Sequence, residues 1–298
     1  MADELETMQN DNNVTETKTK QDSEIKIQTT NAEIDALPEP TERNWAGKFG
    51  YHLGSLLIKS ITKFEVRGAE NLPKDAPYII APNHETYVDG LIAAMGLPKD
   101  HFDKFCSLAA KELGESRGWF GKLIMRVGRG IPIDRGGSAR QSLMVCIKEL
   151  KNDNILLIHP EGTRTADGKL GIIKGGTSFI ASKADVPIVP AFIDGGYEIF
   201  SRHMKWPRPF KGFMKRKRLI LTYGKPIYPS DYANSKEMNQ ALSDWLHYMY
   251  NNKEIPREYE HENLEYMQKL AARQKRREQR RTAADSEMGN AEDQRTSL

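Results

Sequence analysis

Cysteine is scarce in this chain: Cys106 and Cys146 are the two present among 298 residues. They lie far apart and match no metal-ligand spacing, so a disulfide framework is not expected and a reducing compartment fits. No stretch of about 18 apolar residues occurs, which argues against a membrane-spanning helix. No basic start followed by an apolar core and a cleavage site opens the sequence, so secretion is not indicated. No internal repeat recurs at the periods of solenoids or propellers. Aromatics are also thin, at 8% of residues, and almost absent from residues 1–42. That segment is polar and acidic (Asp3, Glu4, Glu6, Asp11, Glu16, Asp22, Glu24). It has too little apolar surface to offset the entropy of ordering and is expected to be a disordered tail.

What remains is basic. The net charge of +3 hides this, because the acidic tail cancels much of it. A basic body favours anionic partners: phospholipid head groups, phosphorylated substrates or nucleic acid. Residues 43–64 come next. Trp45, Phe49, Leu53, Leu56, Leu57, Ile61 and Phe64 recur at helical spacing, while Lys48, His52, Ser55 and Lys59 share another face. The pattern suits an amphipathic helix lying in a membrane interface, and equally a helix docked on its own domain.

Residues 65–250 alternate short apolar runs with helical segments. Pro77–Pro82, Asn154–His159, Val186–Ile193 and Arg218–Tyr223 read as buried strands; Gly90–Gly96 and Ser138–Lys151 read as helices. Met238, Leu242, Trp245 and Met249 mark one more packing helix. The expectation is an α/β fold, a single domain with a mixed, largely parallel central sheet flanked by helices. Residues 251–298 are expected to form a charged helical and disordered tail. Within Glu258–Arg281 acids come early and bases late, as the helix dipole prefers. The cluster from Lys269 to Arg281 is either a solvated face or a contact for an anionic surface.

Three segments carry candidate chemistry. Asn83-His84-Glu85-Thr86-Tyr87-Val88-Asp89-Gly90 follows an apolar strand and precedes a helix. Ligands of open α/β sheets collect at such carboxyl strand ends. A histidine there can serve as a general base near neutral pH, and an aspartate five residues on can fix its tautomer. Alone, this pair is a weak signal. Gly128–Gly137 and His159-Pro160-Glu161-Gly162-Thr163-Arg164 each place an arginine in a glycine-containing turn at a strand end. Arginine's planar fork matches phosphate, and glycine lets the backbone approach it. Lys111 and Lys174 could add point charges. His84 has no second ligand at i+4, so a metal hydrolase fits poorly.

Taken in order, these blocks resemble the 1-acylglycerol-3-phosphate acyltransferases and related glycerophospholipid acyltransferases. The resemblance covers roughly Phe64–Tyr228. Asn83–Asp89 looks like the family's NHxSxxD block, with Thr86 for the frequent serine. Lys111-Glu112-Leu113, Trp119-Phe120-Gly121 and Ile131–Arg135 resemble the second block. Pro160–Arg164 reproduces the PEGTR core of the third, and Val186–Ala191 is similar to the apolar fourth. His159 departs from the usual Phe, and the proline usual between Leu113 and Trp119 is absent.

The resemblance implies His84 as base and Asp89 as its orienting partner. It implies Lys111, Arg135, Glu161, Gly162, Thr163 and Arg164 in binding a phosphorylated acceptor. The implied reaction moves a fatty acyl group from acyl-CoA or acyl carrier protein to 1-acylglycerol-3-phosphate, giving phosphatidic acid for phospholipid synthesis, with no cofactor and no metal. Another lysolipid or glycerol-3-phosphate are the alternative acceptors. A peripheral enzyme at the cytoplasmic side of a membrane is expected, with no nucleic-acid partner. A non-catalytic binder of anionic membranes is the competing class, but it leaves four ordered blocks unexplained.

Overall fold

The computed structural model describes residues 37–110, 118–133, 139–204, 206–212 and 215–256. The acidic N-terminal tail, Lys111, Arg135 and the C-terminal cationic cluster therefore lie outside the described residues.

The chain enters through helix α1 (Trp45–Ile61), capped by Asn44, whose side chain accepts the Gly47 N–H at 3.2 Å. Strand β1 (Lys63–Arg67) follows, then β2 (Tyr78–Pro82), helices α2 (Asp89–Ala94) and α3 (Lys99–Lys104), and β3 (Phe105–Ala110). Next come α4 (Gly118–Val127), β4 (Gly130–Ile133), α5 (Ala139–Lys151), β5 (Ile155–Leu157), α6 (Gly176–Ala184), β6 (Ile188–Asp194) and α7 (Gly196–Phe200). A short antiparallel hairpin, β7 (Phe210–Lys211) and β8 (Lys215–Arg216), precedes β9 (Arg218–Tyr223) and α8 (Ser235–Asn251).

Among the described residues, seven strands form one sheet in the order β1-β9-β6-β2-β5-β3-β4. Every pairing is parallel except β6 with β9, so the sheet is mixed and largely parallel, as expected. β2 is buried along its whole length between two later strands, with Ile80 opposite Leu157 of β5 and Val189 of β6. β3 and β4 extend the sheet beyond β5, whereas β6 lies on the other flank of β2. The connections therefore leave in opposite directions around β2, which opens a crevice at its carboxyl end. Tyr78, Ile80, Phe105, Ile155, Val189, Ile193 and Leu221 build the core between sheet and helices. α8 closes the sheet from one face by burying Met238, Leu242 and Leu246, while Trp245 packs over Gly224.

α1 docks on its own domain through one face and leaves large apolar residues on the other. Its small residues face inward: a Cβ on Gly47 would sit 2.9 Å from the Arg126 carbonyl oxygen, and one on Gly54 2.9 Å from Leu91 Cδ2. Glycine thus permits a close approach that any side chain would push apart. Arg43 pins the entry, donating through Nε to Val127 O at 2.9 Å and through Nη2 to Phe105 O at 2.9 Å, with a further bond to Phe102 O. Its guanidinium also lies over the Phe102 ring. The large apolar residues point away: Trp45 is 79% exposed and Leu56 63%, with Phe49, Leu53 and Leu57 beside them. The helix ends at Ile61, so Phe64 of the expected 43–64 segment belongs instead to β1.

Candidate active site

The site is assembled where β2, β5 and β6 end side by side. Asn83, the first residue past β2, continues the ladder with its side chain. Its Oδ1 accepts the Ile193 N–H at 2.7 Å and its Nδ2 donates to Ile193 O at 3.0 Å. This side-chain mimic of a β-bridge sets where His84 leaves the sheet. Glu85, buried, accepts the Tyr197 N–H at 2.8 Å, which ties the same turn to the start of α7.

His84 Nδ1–H donates to Asp89 Oδ2 at 2.8 Å. The Asp89 side chain is fully buried and that of His84 is 22% exposed. Asp89 Oδ2 also accepts the N–H groups of Glu85 (2.7 Å) and Thr86 (2.9 Å), and its Oδ1 accepts the Thr86 hydroxyl (2.7 Å). Thr86 Oγ1 in turn accepts the Val88 N–H at 2.9 Å. Burial would push the Asp89 carboxyl up, but the hydrogen bond and charge of His84 outweigh it and hold it below the usual range. The carboxylate is thus ionised and fixed, and it keeps the His84 proton on Nδ1. Nε2 is left as the basic nitrogen.

Glu161, which the resemblance implies in acceptor binding, hydrogen-bonds to backbone in this structure. Its Oε1 accepts the His84 backbone N–H at 2.7 Å and its Oε2 accepts the Gly171 N–H at 2.7 Å. Both carboxylate oxygens are engaged with backbone, so Glu161 braces the His84 turn against the loop after β5. Burial raises its carboxyl above the usual value, with the two N–H donors pulling the other way. Thr165 N–H adds a bond to His84 O at 2.8 Å.

Gly162 and Thr163, next in this loop, are exposed, whereas Arg164 is partly buried. Gly162 has a positive φ of 71°, and the Lys174 ammonium sits over it, 2.8 Å from where a Cβ would be. Arg164 lays its guanidinium over the Tyr87 ring at 3.4 Å, and its Nη1 is buried with no hydrogen-bond partner among the described residues. A buried guanidinium N–H of this kind suits an anionic partner. Arg202 Nη1 donates to Arg164 O at 3.0 Å, which steadies the loop from the segment after α7.

His159 completes the site from β5. Its ring lies parallel to His84, centroids 3.7 Å apart at 12°. His84, Asp89 and His159 each bring a ligand atom within 4.8 Å of the others, a spacing a metal ion could use. Asp89 Oδ2 already accepts three hydrogen bonds, however, so this grouping is built as a charge-fixing network rather than an open ligand set. Asn83, Glu85 and His159 are the participants to which sequence reasoning assigned no role; each is contained in a motif block.

A histidine hydrogen-bonded to a buried carboxylate, with an arginine in the neighbouring loop at the switch point of an α/β sheet, is an arrangement able to support general-base chemistry. The family model described as Acyltransferase matches residues 63–194, which hold all these blocks. The 1-acyl-sn-glycerol-3-phosphate acyltransferase of Bacillus subtilis (strain 168) is 31% identical over 186 residues, covering 61% of this chain and 83% of that protein. That of Streptococcus pneumoniae (strain ATCC BAA-255 / R6) is 31% identical over 170 residues, covering 56% and 54%. The crystal structure of the 1-acyl-sn-glycerophosphate acyltransferase PlsC from Thermotoga maritima superposes with a TM-score of 0.55 at 23% identity, covering 71% of this chain and 79% of that one. The chain belongs to the acyltransferase family, and it is an enzyme of that type.

Proposed function

We propose that this enzyme transfers a fatty acyl group from an acyl thioester to the free hydroxyl of 1-acylglycerol-3-phosphate, forming phosphatidic acid for phospholipid synthesis. The observation that carries the reading is the buried Nη1 of Arg164, unpartnered among the described residues, in the loop that Glu161 and Thr165 bind to the His84 turn. A phosphate held there brings a glycerol hydroxyl to a base already fixed in place, so remote binding energy orients the reacting oxygen. His84 Nε2 takes the hydroxyl proton as oxygen attacks the thioester carbonyl, while Asp89 stabilises the imidazolium. Collapse of the tetrahedral intermediate expels the thiolate, and the imidazolium returns its proton to sulfur. The thioester is already activated, so no acyl-enzyme is required. Cys106 and Cys146 are buried with thiols pushed up to about 12 by burial, which suits structural residues rather than nucleophiles. Lys111 and Arg135 are proposed to join Arg164 and Lys174 around the acceptor.

The proposed setting is the cytoplasmic face of a membrane. Among the described residues no helix is long and apolar enough to cross a bilayer. α1 instead turns Trp45, Phe49, Leu53, Leu56 and Leu57 outward while its glycines dock on the domain, an arrangement suited to lying in an interface. Trp119 on α4, 77% exposed, lies on the helix against which α1 packs.

The test is thiol release from long-chain acyl-CoA or acyl carrier protein with 1-acylglycerol-3-phosphate, lysophosphatidylcholine, glycerol-3-phosphate and monoacylglycerol. Wild type should prefer 1-acylglycerol-3-phosphate over monoacylglycerol, and Arg164→Ala should lose most of that preference through KM. An unchanged KM for the phosphorylated acceptor in Arg164→Ala would remove its role. A preference for another acceptor would replace the substrate.

A further inference from the structure

His159 is the one member of the third block that departs from the usual family residue, and it touches the base directly. Its Nδ1 lies 3.2 Å from Asn83 O and 3.3 Å from Pro82 O. Both neighbours are carbonyl oxygens, which only accept, so Nδ1 carries the hydrogen and Nε2 the lone pair. Protonating this ring as well as His84 would set two imidazolium cations face to face at 3.7 Å. The charged groups that face it are His84 from the β2–α2 turn and Asp89 from α2, and Asp89 is engaged with His84. Burial, then proximity to His84, holds its pKa down to about 3.

The Asp89 hydrogen bond constrains one atom of the His84 ring, while coupled changes in χ1 and χ2 can still tilt the ring plane. A flat partner against the ring face removes that freedom. We propose that His159 is a positioning residue for acyl transfer, a flat ring stacked on His84 that sets its plane so that Nε2 meets the acceptor hydroxyl. The proposal rests on His84 being the base. The stack acts in the transition state's geometry, and nothing in it requires His159 to touch the acceptor or the thioester.

Three readings separate positioning from a merely structural role. In steady state, His159→Ala should lower kcat by about 10- to 100-fold, the scale for misplacing a reacting group by about an ångström, with both KM values little changed. His159→Phe restores a flat face and should recover most of kcat. In wild type, log kcat against pH should fall with a slope of one on the acid side, because a single imidazole titrates. Nitrogen-15 NMR of histidine-labelled wild type should show His159 as the Nδ1–H tautomer and unprotonated at pH 5, independently of any turnover. A His159→Ala enzyme with wild-type kcat, a His159→Phe enzyme as slow as His159→Ala, or a His159 that titrates together with His84 would each overturn the proposal. Should His159→Ala fail to fold, His159→Phe and the NMR spectrum decide it. Activity retained in His84→Ala would sink the base assignment instead, with the NMR signature of His159 unaffected.

Discussion

Replacing His159 with phenylalanine should flatten the acid side of the stability profile. In the folded chain the neutral form is favoured, with the pKa depressed from 6.5 to about 3, chiefly by burial. In the unfolded chain the ring titrates normally. A histidine depressed in this way contributes stability that is present above pH 6.5 and lost as pH falls, because the unfolded state binds a proton that the folded state refuses. From pH 7 to pH 5 the unfolded-state titration works out to about 2 kcal/mol, at about 1.4 kcal/mol per unit below the unfolded pKa. Urea unfolding of wild type and His159→Phe, followed by circular dichroism at both pH values, reads this as a difference of differences. Asp89 and Glu161 titrate in both proteins and largely cancel. The pH 7-to-5 loss should be smaller in the variant by about 2 kcal/mol. Equal losses in the two proteins would refute the neutral, buried assignment of His159.

Glu161→Gln should cost both stability and rate, since an amide nitrogen would then face a backbone N–H of His84 or Gly171; a loss of about 1–3 kcal/mol in urea unfolding is expected, and wild-type stability would count against the brace. The triple variant Trp45→Glu, Phe49→Glu, Leu56→Glu should keep its fold and its turnover of dispersed short-chain substrates while failing to float with anionic liposomes. Continued flotation would move the membrane contact away from α1. Arg164→Ala should raise the KM for the phosphorylated acceptor and leave that for a neutral acceptor nearly unchanged, measured side by side by thiol release.

Much of this arrangement was legible because local chemistry and global fold agree. The run at Arg218–Tyr223 is a strand over those residues, and the β2 and β6 runs are displaced by one or two at their ends. β1, β3 and β4 were not read as strands. β1 lies on one edge and carries Lys63, Glu65 and Arg67 in alternation, β3 is rich in small residues, and β4 on the other edge contains Gly130 and Pro132. Edge strands tolerate proline and charge, which erases the apolar run a buried strand shows. His84 and Asp89 were legible as a pair because both lie in one short block and meet across one turn. Glu161 was legible as part of the site, but its hydrogen bonds to His84 and Gly171 were not, since those partners come from separate loops. Asn83 and Glu85 bind backbone 110 and 112 residues away, a contact with no local trace. The pattern of α1 could not decide between docking and exposure; glycines at the inner face allow both.

His84, oriented by Asp89, is proposed as the base of an acyl transfer. The most direct measurement is acceptor-dependent thiol release from a long-chain acyl thioester by purified wild type, His84→Ala and Asp89→Asn, each checked for native circular dichroism. Wild type should release thiol when 1-acylglycerol-3-phosphate is present, and both variants should fall by at least ~10³-fold, the scale for removing or mis-tautomerising a histidine base. A folded His84→Ala enzyme that still releases thiol at the wild-type rate would contradict the account.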